Sequence, residues 1–278
     1  MRIDAHQHFW NYTANPNDFA WMTDDLSALQ NNFLPQDLEH LLSQAGFEGT
    51  IAVQAREMEV ETAFLLELAN NNSIIKGVVG WVDLCSTDVK QSLERYADDS
   101  LLKGFRMIIH DHADLDFANS EAHARGIGYL EQYGWTYDLL LKTIHLPSAI
   151  QLVDRYPTQK FVVDHIAKPA NDKSDWDAWL TGICAIAERT NVFCKLSGLV
   201  TEGDWQNWKP ADFTPFLEEV LKAFSIERLM IGSDWPVCTL AADYGSAMNV
   251  VENWAGQFNI DEREALFGRT CARFYDVT

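Results

Sequence analysis

The sequence predicts an α/β protein folded as a single (β/α)8 (TIM) barrel over residues 1–278, and three observations carry that prediction. The length suits a barrel, a fold that commonly takes this many residues as one unit. Short β-branched or apolar runs alternate eight times with stretches of helical apolar spacing. No linker rich in Pro, Gly or Ser, no short repeat and no low-complexity segment divides the chain. Residues 2–6 form the first expected strand and 35–45 its helix. The pairs that follow are 50–54 with 60–70, 76–82 with 87–97, 102–108 with 122–132, and 136–141 with 146–155. The last three are 160–165 with 176–189, 192–196 with 210–224, and 228–232 with 244–258. A final helix over 261–274 packs across the outside or the bottom. An open doubly wound sheet is the alternative, but no Gly-x-Gly-x-x-Gly follows a strand to support it.

Composition narrows the function. The formal net charge is −20, with acidic residues spread along the chain, a field that repels phosphate backbones and anionic lipid. Nucleic acid and membrane are therefore excluded as partners, and a small neutral or weakly charged molecule is favoured. No apolar run approaches the ~20 residues that span a bilayer. Met1-Arg2-Ile3-Asp4 has no basic, apolar leader character, which places the protein in the cytoplasm. Cys85, Cys184, Cys194, Cys238 and Cys271 form no Cys-x-x-Cys and read as reduced thiols.

In a barrel, residues that end separate strands meet at one mouth. His6 and His8 are two apart and share a strand face. Two imidazoles there can ligate a divalent ion or hydrogen-bond an oxygen that becomes negative during attack. Asp234 follows the eighth strand, beside the first on closure, and offers a general base or a metal ligand. Trp235-Pro236 directly after it argues against a helix cap. His165 ends the sixth strand; alternation lets only one of Asp164 and His165 point inward, and we take His165 as the inward group with Asp164 structural. Arg106 and Lys195 are cations within strand-like runs, and a buried cation requires a carboxylate partner or an anionic substrate group. The planar fork of Arg106 suits two oxygens. Lys195 fits a core salt bridge and a substrate contact equally. Lys168 lies in the loop after His165, within reach of the mouth, and Gln54 ends the second strand as a donor and acceptor for hydroxyls. Trp21, Trp205 and Trp208 sit in two aromatic loops that stack on sugar C–H faces or simply pack. His40, His110 and His112 read as bystanders.

With His6-x-His8, Asp164-His165-Ile166-Ala167-Lys168-Pro169, Lys195-Leu196-Ser197-Gly198 and Gly232-Ser233-Asp234-Trp235-Pro236 in this order, the chain resembles the amidohydrolase superfamily. More closely it is similar to the amidohydrolase-2 branch of sugar-lactone hydrolases, of the fuconolactonase and rhamnonolactonase kind, and pyrone-dicarboxylate lactonases. The resemblance implies a (β/α)8 hydrolase in which His6, His8 and His165 polarise the substrate carbonyl and Asp234 takes a proton from water. The bridging lysine of binuclear members has no counterpart: the fourth strand offers Arg106, the fifth Tyr137 and Asp138, and the seventh Lys195 in place of a further histidine. No metal is expected to be required. A single zinc held by His6, His8 and Asp234 stays open, as does assembly into a homo-oligomer.

The expected reaction is the hydrolytic opening of a sugar-derived lactone to the aldonic acid. Arg106, Gln54, Lys195, Lys168 and Trp21 hold the substrate. A metal-dependent decarboxylase of an unsaturated or aromatic acid is the alternative enzyme, and a barrel that binds a sugar acid without turnover is the alternative of another class.

Overall fold

A computed structural model describes residues 1–277. Eight parallel strands follow one another in sequence order: β1 (Ile3–Gln7), β2 (Gly49–Val53), β3 (Ile75–Gly80), β4 (Leu102–Ile108), β5 (Thr136–Leu140), β6 (Phe161–Val163), β7 (Val192–Leu196) and β8 (Leu229–Ile231). Seven junctions are parallel ladders. The eighth is closed where the end of β1 meets backbone beyond β8. Gln7 bridges Trp235, the His8 N–H donates to the Trp235 carbonyl at 2.7 Å, and the Asp234 N–H donates to the His6 carbonyl at 2.8 Å. Asp4 clamps the same seam by accepting from the Ser233 N–H at 2.9 Å and the Ser233 hydroxyl at 2.6 Å. The expected (β/α)8 barrel is the fold.

Helices α1 (Pro35–Gln44), α2 (Glu59–Asn71), α3 (Val89–Glu94), α4 (Glu121–Leu130), α5 (Leu146–Arg155), α6 (Trp176–Ala187), α7 (Pro210–Phe224) and α8 (Tyr244–Trp254) fill the intervals between strands and after β8. Each buries one apolar stripe against the sheet; on α5 it is Leu146, Ala149, Leu152 and Val153, at spacings of three, three and one. The continuous final helix expected over 261–274 is two short helices, α9 (Ile260–Glu264) and α10 (Thr270–Tyr275), joined by a π-helical turn at Ala265–Arg269. Cys271, Phe274 and Tyr275 of α10 pack with Ile3, Ala5, Ile51, Val53, Val79, Val162 and Met230, so this element plugs the end of the barrel opposite the mouth.

Two local departures from regular strand geometry aim the polar side chains. In β1, Asp4 pairs with Thr50 and Gln7 with Ala52, so the strand carries one extra residue between them. Ile3 and Ala5 face the inner cluster, whereas Asp4 reaches outward to the Tyr244 hydroxyl at 3.2 Å. The bulge inverts that parity and brings His6 and His8 inward, the re-aiming for which bulges recur beside active sites. In β6, Val162 faces the inner cluster and Phe161 and Val163 the outer one, which makes Asp164 the next inward position. The strand stops at Val163, two residues earlier than expected, and the chain turns away.

Candidate active site

After β6 the backbone enters the left-handed region for four consecutive residues, His165, Ile166, Ala167 and Lys168, with φ of 53°, 49°, 65° and 46°. This conformation costs an L-residue roughly 1–2 kcal/mol, and a β-branched residue such as Ile166 resists it most. The turn is held by the Lys168 N–H on the His165 carbonyl at 2.8 Å and the Trp179 indole N–H on the Ile166 carbonyl at 2.8 Å. It throws the His165 ring back over the mouth. Asp164 and His165 therefore both serve the site, and the expectation that only one does is corrected: alternation ends where the strand ends. Asp234, with φ of 58°, is set by the same device after β8.

Four side chains converge. The Asp234 Oδ1 lies 3.3 Å from His8 Nε2, 3.7 Å from His6 Nε2 and 3.9 Å from His165 Nε2, and the two Nε2 atoms of His6 and His8 are 3.2 Å apart. The rings are fixed from behind. His8 Nδ1 donates to the Val53 carbonyl at 2.8 Å, so in the neutral ring its Nε2 presents a bare lone pair. His165 Nδ1 lies 2.8 Å from the Ser197 hydroxyl. His6 Nδ1 lies 3.1 Å from the Lys195 ammonium and 3.4 Å from Asp164 Oδ1. It accepts from the first when Nε2 carries the ring proton and donates to the second when Nε2 is free. Gly198, at φ +66°, is required beside this cluster, because a Cβ there would stand 2.5 Å from His165 Nδ1.

Charge is balanced around the rings. Burial, opposed by Asp164, holds His6 well below the ordinary imidazole pKa, and burial does the same to His165 against the pull of Asp234. Both rings are neutral at physiological pH. Burial raises Asp234, but the polar neighbours around it, His165, His8 and Lys168, outweigh it and hold its carboxyl below the ordinary range. Asp164 is likewise held well below the carboxylate range, its desolvation overcome by Lys195, His6 and Arg106.

A cavity of about 270 Å³ opens above, lined by His8, His165, Asp234 and Arg106, with Trp10, Trp21, Ala55, Ile108, Leu140 and Val237 as apolar walls and His110, Asp111 and Lys168 completing it. Arg106, Lys168 and Trp21 thus stand where substrate contacts were expected; Lys168 is tied to Glu202 at 2.5 Å and Trp21 stands edge-on to Trp10. Gln54 and Lys195 do not line the cavity. The Gln54 side chain instead donates to the Arg106 carbonyl at 3.2 Å, and the Gln54 main-chain carbonyl accepts from the Arg106 guanidinium at 2.5 Å. Lys195 lies below the floor, paired with Asp138 at 2.5 Å and Asp164 at 3.0 Å, because its strand position points it into the barrel axis beneath the mouth. Trp205 and Trp208 donate to the carbonyls of Thr201 and Ala241 and pack. His40 is exposed and the His112 ring stacks on Phe117, but His110 is no bystander: its Nε2 donates to Asp111 at 3.0 Å on the cavity wall. Asp138 and Asp164 were the partners that the buried cations demanded. Sequence could have found them by asking which carboxylates share the inward parity of Arg106 and Lys195.

The donor set suits a metal. Ligands ~2.0–2.1 Å from a tetrahedral zinc stand about 3.3 Å from one another, close to the separations found here. His6, His165 and Asp234 offer atoms within 4.8 Å of one another, and His8 completes the set from the side of His6 and Asp234. Each imidazole also has the partner on its other nitrogen that metal-ligating histidines usually have. A single divalent ion fits this cluster.

Residues 3–277 match the family model described as amidohydrolase. The chain is 39% identical over 286 residues to a Burkholderia multivorans protein named L-fucono-1,5-lactonase, covering 99% of this chain and 96% of that one. A crystal structure of an amidohydrolase from Burkholderia multivorans with bound zinc superposes with a TM-score of 0.94 at 38% identity, covering 100% of both chains. A probable 2-pyrone-4,6-dicarboxylic acid hydrolase from Acinetobacter baumannii, solved with citric acid bound, shares the fold at a TM-score of 0.78 and 16% identity, covering 99% of both chains.

Proposed function

The chain belongs to the amidohydrolase family, and from that premise we propose that it is a lactonase that opens a sugar 1,5-lactone to the aldonate, with L-fucono-1,5-lactone the first substrate to test. The observation that carries this reading is the Asp234 carboxylate placed 3.3–3.9 Å from the imidazoles of His6, His8 and His165, with His8, His165 and Asp234 itself lining the cavity. Full-length similarity to proteins named for that activity supports it.

In this reading Asp234 takes a proton from water as the water adds to the lactone carbonyl, and returns it to the ring oxygen when the carbon–oxygen bond breaks. His6 and His165 polarise the carbonyl when their Nε2 atoms carry the ring proton. His8, committed to Val53 through Nδ1, cannot donate from Nε2 in its neutral form and instead presents a lone pair. Arg106 and Lys168 hold substrate oxygens, and Trp21 and the apolar walls receive the carbon face of the sugar. A divalent ion bound by His6, His8, His165 and Asp234 would supply Lewis-acid polarisation and a more acidic water. An ester-like ring with a good leaving group needs less activation than an amide, which favours a lactone.

The test is proton release over a panel of sugar and pyrone lactones, using protein of measured metal content. We expect turnover of L-fucono-1,5-lactone, and a fall of at least ~10³-fold in kcat for Asp234→Asn with an unchanged circular dichroism spectrum. Near-normal hydrolysis in that variant removes Asp234 as the base. Activity that survives chelation supports the metal-free route read from the sequence, whereas loss restored by zinc assigns the four donors as an obligatory ion site. Carbon dioxide release from an aromatic acid, without lactone turnover, would replace the reading with decarboxylation.

A further inference from the structure

A second set of ligand-type atoms converges beneath the cavity floor. His6 Nδ1 and one oxygen each of Asp138 and Asp164 lie within 4.8 Å of one another, and all three side chains are fully buried. The position between them is filled. Lys195 Nζ stands 2.5 Å from Asp138 Oδ2, 3.0 Å from Asp164 Oδ1 and 3.1 Å from His6 Nδ1. An ammonium has three hydrogens to donate, and three acceptors surround this one.

We propose that Lys195 is a built-in cation occupying the place of a second metal ion, so that the barrel offers one exchangeable ion position, above His6, while the lysine positions His6 from below. Two carboxylates buried together require positive charge, and a divalent ion or an ammonium meets that need equally. The outer oxygens are already satisfied. Arg106 donates to Asp164 Oδ2 at 3.0 Å, and the Tyr275 hydroxyl of α10 lies 3.0 Å from the outer Asp138 Oδ1 and 2.8 Å from Oδ2. The inward oxygens, Asp138 Oδ2 and Asp164 Oδ1, stand against Nζ. His6 is shared by the two centres: Nδ1 accepts from Lys195 while Nε2 carries the ring proton, and donates to Asp164 Oδ1 when Nε2 serves the upper ion, so the lysine and its carboxylate fix from below the plane of a ring whose other edge faces Asp234.

Zinc stoichiometry, read by plasma mass spectrometry and titration calorimetry on metal-stripped protein, tests this without reference to activity. Lys195→Ala should bind one more equivalent of zinc than the parent. The double variant Lys195→Ala/Asp138→Asn, which removes a ligand of the vacated position, should lose that extra equivalent. Should Lys195→Ala be unfolded when stripped of metal, zinc should restore its cooperative thermal transition. Equal stoichiometry in the parent and the folded single variant overturns the proposal, as does an unfolded variant that zinc fails to rescue or a parent that already binds two equivalents. An additional zinc in a variant of a parent that turns over no lactone would uphold this inference while ending the functional one.

Discussion

Gly198 and His165 illustrate how little tolerance the site has at the level of single residues. A methyl at position 198 meets the imidazole at 2.5–2.7 Å on a backbone of φ +66°, so Gly198→Ala must displace the ring or the loop. We expect a stability loss of about 1–3 kcal/mol and a larger proportional loss of kcat, checked by urea unfolding and steady-state turnover. Asp164→Asn leaves Arg106 and Lys195 buried with one carboxylate fewer; we expect a loss of about 3–5 kcal/mol in the same unfolding measurement. His6, His8 and Asp234 were legible in the sequence because each is a polar residue at the end of an apolar run. The inward role of Asp164 was not. Parity along β6 is symmetric between the two choices, and nothing in Ile166 or Ala167, neither glycine nor asparagine, announces a left-handed turn.

Between elements, α4 is tied to β5 by one buried ring. His123 Nδ1 donates to the Ala118 carbonyl at 2.7 Å, and Nε2 accepts from the Tyr137 hydroxyl at 2.8 Å. Burial pushes its pKa down from 6.5 to about 4, against the hydrogen bond to Ala118. The folded state therefore refuses a proton that the unfolded chain accepts below about pH 6.5. The stability that follows is fully present above that pH and is lost as pH falls towards 4, to a total of about 3 kcal/mol. His123→Gln should lower the urea midpoint at pH 7 but shrink the drop between pH 7 and pH 4.5; an unchanged drop would show that other groups carry it. Helix stripes such as that of α5 were legible because periodicity is local. The π-helical break before α10 was not, since Ala265 to Arg269 keep an ordinary helical pattern and only docking beneath the barrel distorts them.

At the scale of the whole molecule, the alternation of runs was enough to give the barrel, because eight parallel strands in sequence order need only crossover helices to close. The closing seam was invisible: it is made by Asp4, Ser233, the end of β1 and backbone beyond β8, a long-range juxtaposition with no periodic signature. The net charge of −20 sets a global prediction. Self-repulsion weakens the compact state and is screened by salt, so the melting temperature should rise between 10 and 150 mM sodium chloride at pH 8; a fall would mean that surface ion pairs dominate. Among the described residues no helix is long and apolar enough to cross a membrane.

The inserted residue between Asp4 and Gln7 makes β1 a phase shifter. Were the strand to run straight through at unchanged length, Ile3 and Ala5 would keep their greasy contacts, while both histidines, sharing the parity of Asp4, would turn half a rotation towards the helices. A strand ironed flat in that way would yield a well-folded but blind enzyme, one whose chemistry was erased by a change of phase with every reactive group still present in the chain.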